Sequence, residues 1–245
     1  MRILILSDIH GNLEALQAIL LGLEYQQVAV LGDLVGYGAN PNEVIDLVRQ
    51  LNPIAIVRGN HDKVAAGISE GLDFNATALE AIRWTQNRLT ESNRDYLHDL
   101  PVGPMVFNDS ITIAHGSPMD EEEYIFQEWI ALRSFQYFQT PICFYGHSHV
   151  PMVIGSCGGS DLQVHLPKES EICRLPQENN LRYLINPGSV GQPRDNDPRA
   201  CAAILDTDAE EIRYVRAAYD VSAAQERIRS AGLPDYLADR LALGR

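Results

Sequence analysis

The stretch RILILSDIHGNLEALQAILLGLEYQQVAVLGD, residues 2–33, decides the fold. It opens with RILIL (2–6), a short apolar run of the kind a buried strand requires. Asn12 then caps a helix whose apolar positions Leu13, Leu16, Ile19, Leu20 and Leu23 recur at helical spacing. VAVL (28–31) is the next buried strand. The same order repeats beyond it. Asn40 as cap, Pro41 at the first helical position and Glu43 completing an N-x-x-E box predict a second helix, with Val44, Leu47, Val48 and Leu51 as its core stripe. IAIV (54–57) supplies a third strand. Strand, helix, strand, helix, strand with two crossovers implies a parallel sheet and an α/β chain.

Further along, residues 74–98 read as helical on a polar-sided pattern that Pro101 stops. Strands are predicted at 102–107 and 110–114, joined by the turn-forming Asn108-Asp109. Residues 118–139 carry an acidic run, Asp120 to Glu123, and six aromatics, and read as an irregular segment followed by a helix. Short strands are predicted at 142–145, 150–154, 162–166 and 182–185, then a hairpin of 200–205 with 211–217 turning near Thr207. Residues 220–241 are helical, interrupted at Gly232-Leu233-Pro234. With no internal repeat or linker, one domain over 1–245 is expected, with 118–140 as a cap-like excursion over one face.

Of 245 residues, 45% are hydrophobic and 21% charged, an ordinary globular composition. A formal net charge of -14 argues against nucleic-acid binding, which needs clustered Lys and Arg. It leaves an anionic substrate open, because a bound divalent cation can reverse the field locally. The four cysteines (Cys143, Cys157, Cys173, Cys201) are scattered and read as thiols in a reducing compartment. The apolar start MRILIL is too short for a signal peptide, and no stretch reaches the ~20 apolar residues of a membrane helix. A cytoplasmic protein without membrane association is expected, and a homodimer is compatible with the sequence.

The informative fact is where the histidines fall. Ser7-Asp8-Ile9-His10 follows the first strand, Gly32-Asp33 the second and Gly59-Asn60-His61-Asp62 the third, while Ala114-His115-Gly116 and Gly146-His147-Ser148-His149 close later strands. Ligand sites of α/β sheets gather at such carboxyl ends. Each block alone is weak: Asp-x-His can be a cap beside a surface imidazole, Gly-Asp a turn, and His-x-His a metal site at about even odds. Their joint occurrence at five strand ends is what points to a metal site. His98 and His165 lie outside the pattern and read as exposed or packed side chains.

These blocks, D-x-H, G-D, G-N-H-D, H and G-H-x-H in this order over residues 8–149, resemble the signature of the calcineurin-like metallophosphoesterases. The string Asn186-Pro-Gly-Ser-Val-Gly-Gln-Pro-Arg194 is similar to that of the small prokaryotic phosphodiesterase and phosphatase branch, and GDLVGYG (Gly32 to Gly38) to members related to diadenosine tetraphosphatases. The resemblance implies a four-layer α/β/β/α sandwich of two mixed sheets, with the metal site at converging strand-end loops. It also implies two divalent ions, the first on Asp8, His10, Asp33 and His149 and the second on Asp33, Asn60, His115 and His147. Mixed N/O ligation suits Mn, Fe, Zn or Ni, with Mn the first choice.

By the same resemblance, two ions roughly 3.5–4 Å apart clamp the phosphoryl group, and a bridging hydroxide attacks phosphorus in line. Asn60 and His61 then face the phosphoryl oxygens, His61 protonates the leaving group, and Asp62 either orients the His61 ring or simply caps a helix over 63–68. Arg58 and Arg194 are candidate phosphate contacts, Arg194 the better because it sits in a Gly/Pro-rich loop, and a plain ion pair is the ordinary alternative for each. Protein phosphatases of the superfamily carry an Arg shortly after the second block. Gly32 to Gly38 has none, which counts against a protein substrate. A nucleotide-type diester or phosphoanhydride leads, and a phosphomonoester comes second. A non-catalytic metal-binding scaffold of the same fold is disfavoured because His61 is present. The aromatics Tyr124, Phe126, Trp129, Phe135, Tyr137 and Phe138 can stack a nucleobase or pack a core, and the packing reading is favoured about two to one.

Overall fold

Ile3 and Ile5 point to one side of the first strand, Leu4 and Leu6 to the other, and all four are fully buried. Successive side chains alternate faces, so such a strand has to lie between two apolar layers. The computed structural model describes residues 1–158, 161–176 and 180–245. In chain order the elements are β1 (Arg2–Leu6), α1 (Leu13–Leu20), β2 (Gln27–Val30), α2 (Pro41–Gln50), β3 (Ala55–Ile56), α3 (Asn60–Ala65), α4 (Ala76–Arg88), α5 (Glu91–Asp99), β4 (Met105–Phe107), β5 (Ile111–Ile113) and α6 (Glu128–Ser134). There follow β6 (Ile142–Phe144), β7 (Met152–Cys157), β8 (Asp161–His165), β9 (Ile172–Arg174), β10 (Leu181–Asn186), β11 (Ala200–Asp206), β12 (Glu211–Ala217), α7 (Val221–Ser230), α8 (Asp235–Asp239) and a 3-10 turn (Arg240–Leu243).

Two mixed six-stranded sheets result, in the orders β3-β2-β1-β11-β12-β9 and β4-β5-β6-β10-β7-β8. β1, β2 and β3 are mutually parallel, as the crossover pattern predicts, and β11 joins β1 antiparallel with Ile5 opposite Ala203. In the second sheet β5, β6 and β10 run parallel. Ile3, Ile5, Phe144, Ile185, Leu205 and their neighbours fill the space between the sheets. Leu4, Leu6, Val28 and Val30 pack outward beneath Leu16 and Ile19 of α1 and Val44 and Val48 of α2. On the far side, Cys143, Tyr145 and Leu184 are covered by Ile130, Phe135 and Phe138. The layers are therefore helix, sheet, sheet, helix. Residues 118–140 supply that outer covering through Phe135 and Phe138, which are buried, while Phe126, Trp129 and Tyr137 stay exposed. Among the described residues no helix is long and apolar enough to cross a membrane.

One predicted cap forms, and several other local expectations change. Asn12 caps α1 through its side chain, accepting from the Ala15 N–H at 3.1 Å. Asn40 stands before Pro41 but makes no side-chain cap, so no capping box forms there. The predicted helix over 74–98 breaks at Leu89-Thr90, because the Thr90 hydroxyl accepts from the Asn93 N–H and starts α5. β9 was not anticipated: three residues, two of them exposed, give no buried-strand signal. It forms because it pairs at the sheet edge with Glu211–Arg213 of β12.

The inter-sheet layer should dominate stability. Ile185 is fully buried within it, and Ile185→Ala should cost about 2–5 kcal/mol by lost transfer energy and cavity formation. Urea unfolding checks this. A loss below about 1 kcal/mol would mean the sheets repack freely.

Candidate active site

Tight turns after β1, β2, β3, β5 and β6 converge at one end of the two sheets, and they carry every block singled out in the sequence. The backbone there is unusual. Asp8, His10, Asp33, His147 and His149 all have φ between 50° and 65°. Each costs on the order of 1–3 kcal/mol for a residue with a Cβ and persists only where neighbours fix it. Glycines make room beside them. A Cβ on Gly59 would fall 2.1 Å from Asp33 Oδ1, and one on Gly36 (φ +90°) would fall 2.3 Å from His61 Nδ1.

The side chains gather in two sets that share Asp33. Asp8, His10, Asp33 and His149 form one and Asp33, His115 and His147 the other, the donor atoms of each lying within 4.8 Å of one another. Asp33 Oδ2 is 3.5 Å from His10 Nε2 and 3.4 Å from His115 Nε2. His149 Nε2 lies 3.3 Å from Asp8 Oδ1 and 3.1 Å from His10 Nε2. Asn60 Oδ1 stands 3.2 Å from His115 Nε2, at the edge of the second set.

Backbone carbonyls set the tautomers, since a carbonyl only accepts. Nδ1–H of His10, His115 and His149 donates to the oxygens of Val35, Leu31 and Gln192 at 3.1, 2.8 and 2.6 Å. His147 instead donates Nε2–H to the Glu122 oxygen at 3.1 Å. In the neutral rings the lone pair then falls on Nε2 of His10, His115 and His149 and on Nδ1 of His147. A hydrogen bond on the far ring nitrogen in this way orients an imidazole for metal binding.

Burial holds His10 and His149 well below the usual histidine range and takes His147 down to about 3, so their lone pairs stay available. For His115 burial is outweighed by the charge and hydrogen bond of Asp33 and by Asp8, which lift it to about 10. Burial would raise Asp33, but His115, His61 and His10 together bring it well below the ordinary carboxylate value. The site thus favours positive charge between Asp33 and its imidazoles. Nitrogen and carboxylate donors in these two sets fit divalent transition ions, as they would not fit a thiolate-rich structural zinc site.

His61 is buried among rings, with Phe74, Tyr37 and His10 at centroid distances of 4.6, 4.5 and 4.9 Å, and its Nδ1 has no partner. Burial lowers it to about 4, so the ring is neutral near pH 7 and becomes an acid only beside an anion. Asp62 does not orient that ring. It caps a helix, though not one over 63–68: α3 begins at Asn60, and Asp62 at its third position accepts from the N-cap Gly59 N–H. It sits inside α3, and its carboxylate accepts from the backbone N–H groups of Leu34, Val35 and Gly59 at 2.9, 3.3 and 3.0 Å, stapling the β2 and β3 loops together. Arg58 is committed to Glu121 through two hydrogen bonds of 3.0 Å, the ion-pair alternative. Arg194 faces the site: its backbone N–H reaches His149 O at 3.4 Å, and its buried Nε has no partner. His98 and His165 lie on the surface beside Asp99 and Glu171.

The sequence pointed to Tyr124 only as one of six aromatics. Its ring lies flat on His147 at 3.7 Å, and Phe126 stacks on Tyr124 at 5.3 Å. Tyr37 and Phe74 were not singled out. Tyr37 stood inside GDLVGYG between two ligand blocks, whereas Phe74 carried no signal. With Asp73, Asn75 and Glu122 they border a cleft of about 230 Å³ that opens on Asn60, His61 and His147.

Two stacked mixed sheets with a carboxylate-imidazole cluster at their strand ends define a metallophosphoesterase. Residues 1–210 match the calcineurin-like phosphoesterase superfamily domain, and the chain belongs to that family. It is 39% identical to the uncharacterized protein MJ0912 of Methanocaldococcus jannaschii over 99% of this chain and 98% of that one. A metallophosphoesterase from Sphaerobacter thermophilus superposes with TM-score 0.89 at 42% identity, covering 100% of this chain and 99% of that one. The hypothetical protein PH1004 from Pyrococcus horikoshii shares the fold at TM-score 0.79 and 20% identity, over 100% and 98% of the two chains.

Gly36→Ala tests the crowding around His61. The new methyl would meet the ring at a φ that resists a side chain, so hydrolysis should fall by at least about tenfold while the bound metal measured by plasma emission is retained. Wild-type turnover in this variant would show that the ring position does not matter.

Proposed function

We propose that the chain is a dinuclear metal-dependent phosphoester hydrolase acting on a nucleotide-type phosphodiester or phosphoanhydride. The observation that carries this reading is the set of four imidazoles tied by one nitrogen to backbone carbonyls so that the other faces the shared Asp33 cluster. Asp8, His10, Asp33 and His149 would hold one ion, and Asp33, Asn60, His115 and His147 the second. Mn(II) is the first metal to supply. Such ions provide Lewis acidity, polarising phosphoryl oxygens and acidifying water.

The chain's own groups do the rest. His61, held between Tyr37 and Phe74, presents a ring N–H to the phosphoryl or leaving oxygen, and an incoming dianion favours its charged form. Tyr37 and Phe74 also keep water from that ring. Arg194 offers guanidinium donors to a phosphoryl oxygen. The cleft beside His61 receives the leaving group, and the faces of Phe74 and Tyr124 suit a nucleobase. The buried thiols Cys143 and Cys201 suit a reducing, cytoplasmic setting.

Asp33 is shared, so Asp33→Ala should lower metal stoichiometry more than His10→Ala. One ion per chain in fully active wild type would sink the dinuclear assignment.

The role of His61 is separable from metal binding. An alkoxide needs a proton as it leaves and a nitrophenolate hardly does, so His61→Asn should lose about 10²–10⁴-fold in kcat on a nucleoside ester and much less on a nitrophenyl ester. Metal content should stay at the wild-type level. An unchanged rate on the nucleoside ester would remove the acid role, and loss of metal would make His61 a ligand.

A further inference from the structure

Arg240 lies beyond residue 210, where the family match ends, and nothing in the sequence pointed to it. α7, α8 and the closing 3-10 turn pack Ile228, Leu237 and Leu241 with Tyr37, Ala78 and Ala81. This docking sets the Arg240 guanidinium over Tyr37, with Cζ 5.9 Å from the ring centroid, and over Tyr236 at 5.3 Å. Tyr37 in turn meets the rings of His10 and His61 at 4.7 and 4.5 Å. Arg240 is thus one aromatic ring away from the reaction centre. Arg194 comes to the same place from the loop after β10. Both guanidinium charges act on Tyr37 and on Tyr124, and they act on each other.

Among the described residues neither of these two half-buried groups has a side-chain acid partner. Arg2, Arg58, Arg199, Arg216, Arg227 and Arg229 all pair with carboxylates. Among the described residues no side-chain carboxylate lies within ion-pair distance of Arg194 or Arg240, in a chain with 33 acidic residues against 19 basic ones. Arg194 gives one terminal nitrogen to Gln192 Oε1 at 3.1 Å and leaves its buried Nε unbonded. Arg240 gives Nε to a main-chain oxygen of Arg245, which leaves the terminal end of its fork for another acceptor. Two half-buried like charges repel, and burial with the Arg194 charge moves Arg240 below the usual arginine range. An anion between them removes that repulsion, and phosphate matches guanidinium geometry in a bidentate way.

We propose that Arg194 and Arg240, converging on Tyr37 and Tyr124, form an anion subsite beside the metal centre that holds a second phosphate of the substrate, next to the one that is hydrolysed. The inference rests on the functional reading above for the place of the scissile phosphate. It narrows the substrate to compounds with adjacent phosphates, a phosphoanhydride rather than a simple diester.

Calorimetric titration of the Mn(II)-saturated full chain with AMP and with α,β-methylene ADP isolates the second phosphate, because base, sugar and first phosphate are common to both. Wild type should bind the diphosphate at least about tenfold more tightly. Arg240→Gln should lose about that factor for the diphosphate while AMP shifts less than twofold. Arg240→Lys keeps a cation over Tyr37 without the fork and should fall between. Wild type binding both ligands equally, or Arg240→Gln weakening both alike, overturns the subsite. If Arg240→Gln does not fold, the wild-type preference and the Arg240→Lys value still decide. Binding is read without turnover, so a failure of hydrolysis would count against the catalytic reading alone.

Discussion

A carboxylate with almost no water contact is tolerated only where positive charge and hydrogen bonds replace its hydration, and Asp33, 1% exposed, is such a group. Desolvation alone would cost several kcal/mol, on the order known for buried ions. The surroundings reverse this. His115, His61 and His10 pull its pKa below the ordinary value, and the His61 backbone N–H donates to Oδ1 at 2.9 Å. Those partners come from the loops after β1, β3 and β5, so satisfying Asp33 draws together turns from both sheets. The register of the two sheets and the position of the centre are one constraint seen from two sides.

That constraint is held at the cost of strained backbone. Asp8, His10, Asp33, His147 and His149 sit in the left-handed region, which side chains with a Cβ avoid. The bonds that hold them come from groups with no chemistry of their own. Asp62 spends its carboxylate on three backbone N–H groups. Gly38 N–H donates to His10 O at 2.9 Å, Gly191 N–H to Asp8 O at 3.0 Å and the Ser189 hydroxyl to Asp8 O at 2.8 Å. Asn186 Nδ2 donates to Gly146 O at 2.8 Å and Ser148 Oγ at 3.0 Å, next to His147 and His149. The string from Asn186 to Gln192 is therefore a clamp on the first and last ligand blocks.

How much of this was legible in the sequence follows from which signals are local. RILIL, VAVL and IAIV announce buried parallel strands because their pattern needs only a few consecutive residues, and the ligand blocks announce themselves by side-chain type at strand ends. Asn186 and Ser189 stood in a recognisable string, yet their bonds reach across about 40 and 180 positions of sequence, so their work as a clamp was invisible. Asp62 was legible only in part for a related reason. Beside His61 it looked like an orienting group or a cap; one oxygen does cap α3 through the Gly59 N–H, while the other is claimed by the β2 loop, 28 residues away. Phe74 and Arg240 gave no sign because an aromatic or a basic residue in a polar helical stretch is ordinary until folding sets it against a ring. β9 fails as a prediction on the same ground, since an exposed edge strand exists only through its neighbour.

The remaining physical question is how a chain of net charge -14 presents a centre to an anionic phosphoester. The acidic run nearest the cleft, Asp120 to Glu123, is largely spoken for. Glu121 binds Arg58 and Lys63, Glu122 binds Lys63 at 2.6 Å, and Glu123 accepts from the Ser117 hydroxyl at 2.7 Å. These pairings show in the groups themselves: hydrogen bonds from Arg58 and Lys63 outweigh burial to hold Glu121 below its usual range, and the two glutamates raise Lys63. Arg58 and Lys63 thus offset two of the four negative charges within a few ångströms, which weakens the field of the run at the distance of His147. Asp73 at the cleft border keeps its negative charge, and the guanidinium groups of Arg194 and Arg240, with any divalent ions held on the Asp33 cluster, would be the positive charges opposing it. An acidic surface with a locally positive cleft repels polyanions such as nucleic acid at long range and still admits a small phosphate ester at short range.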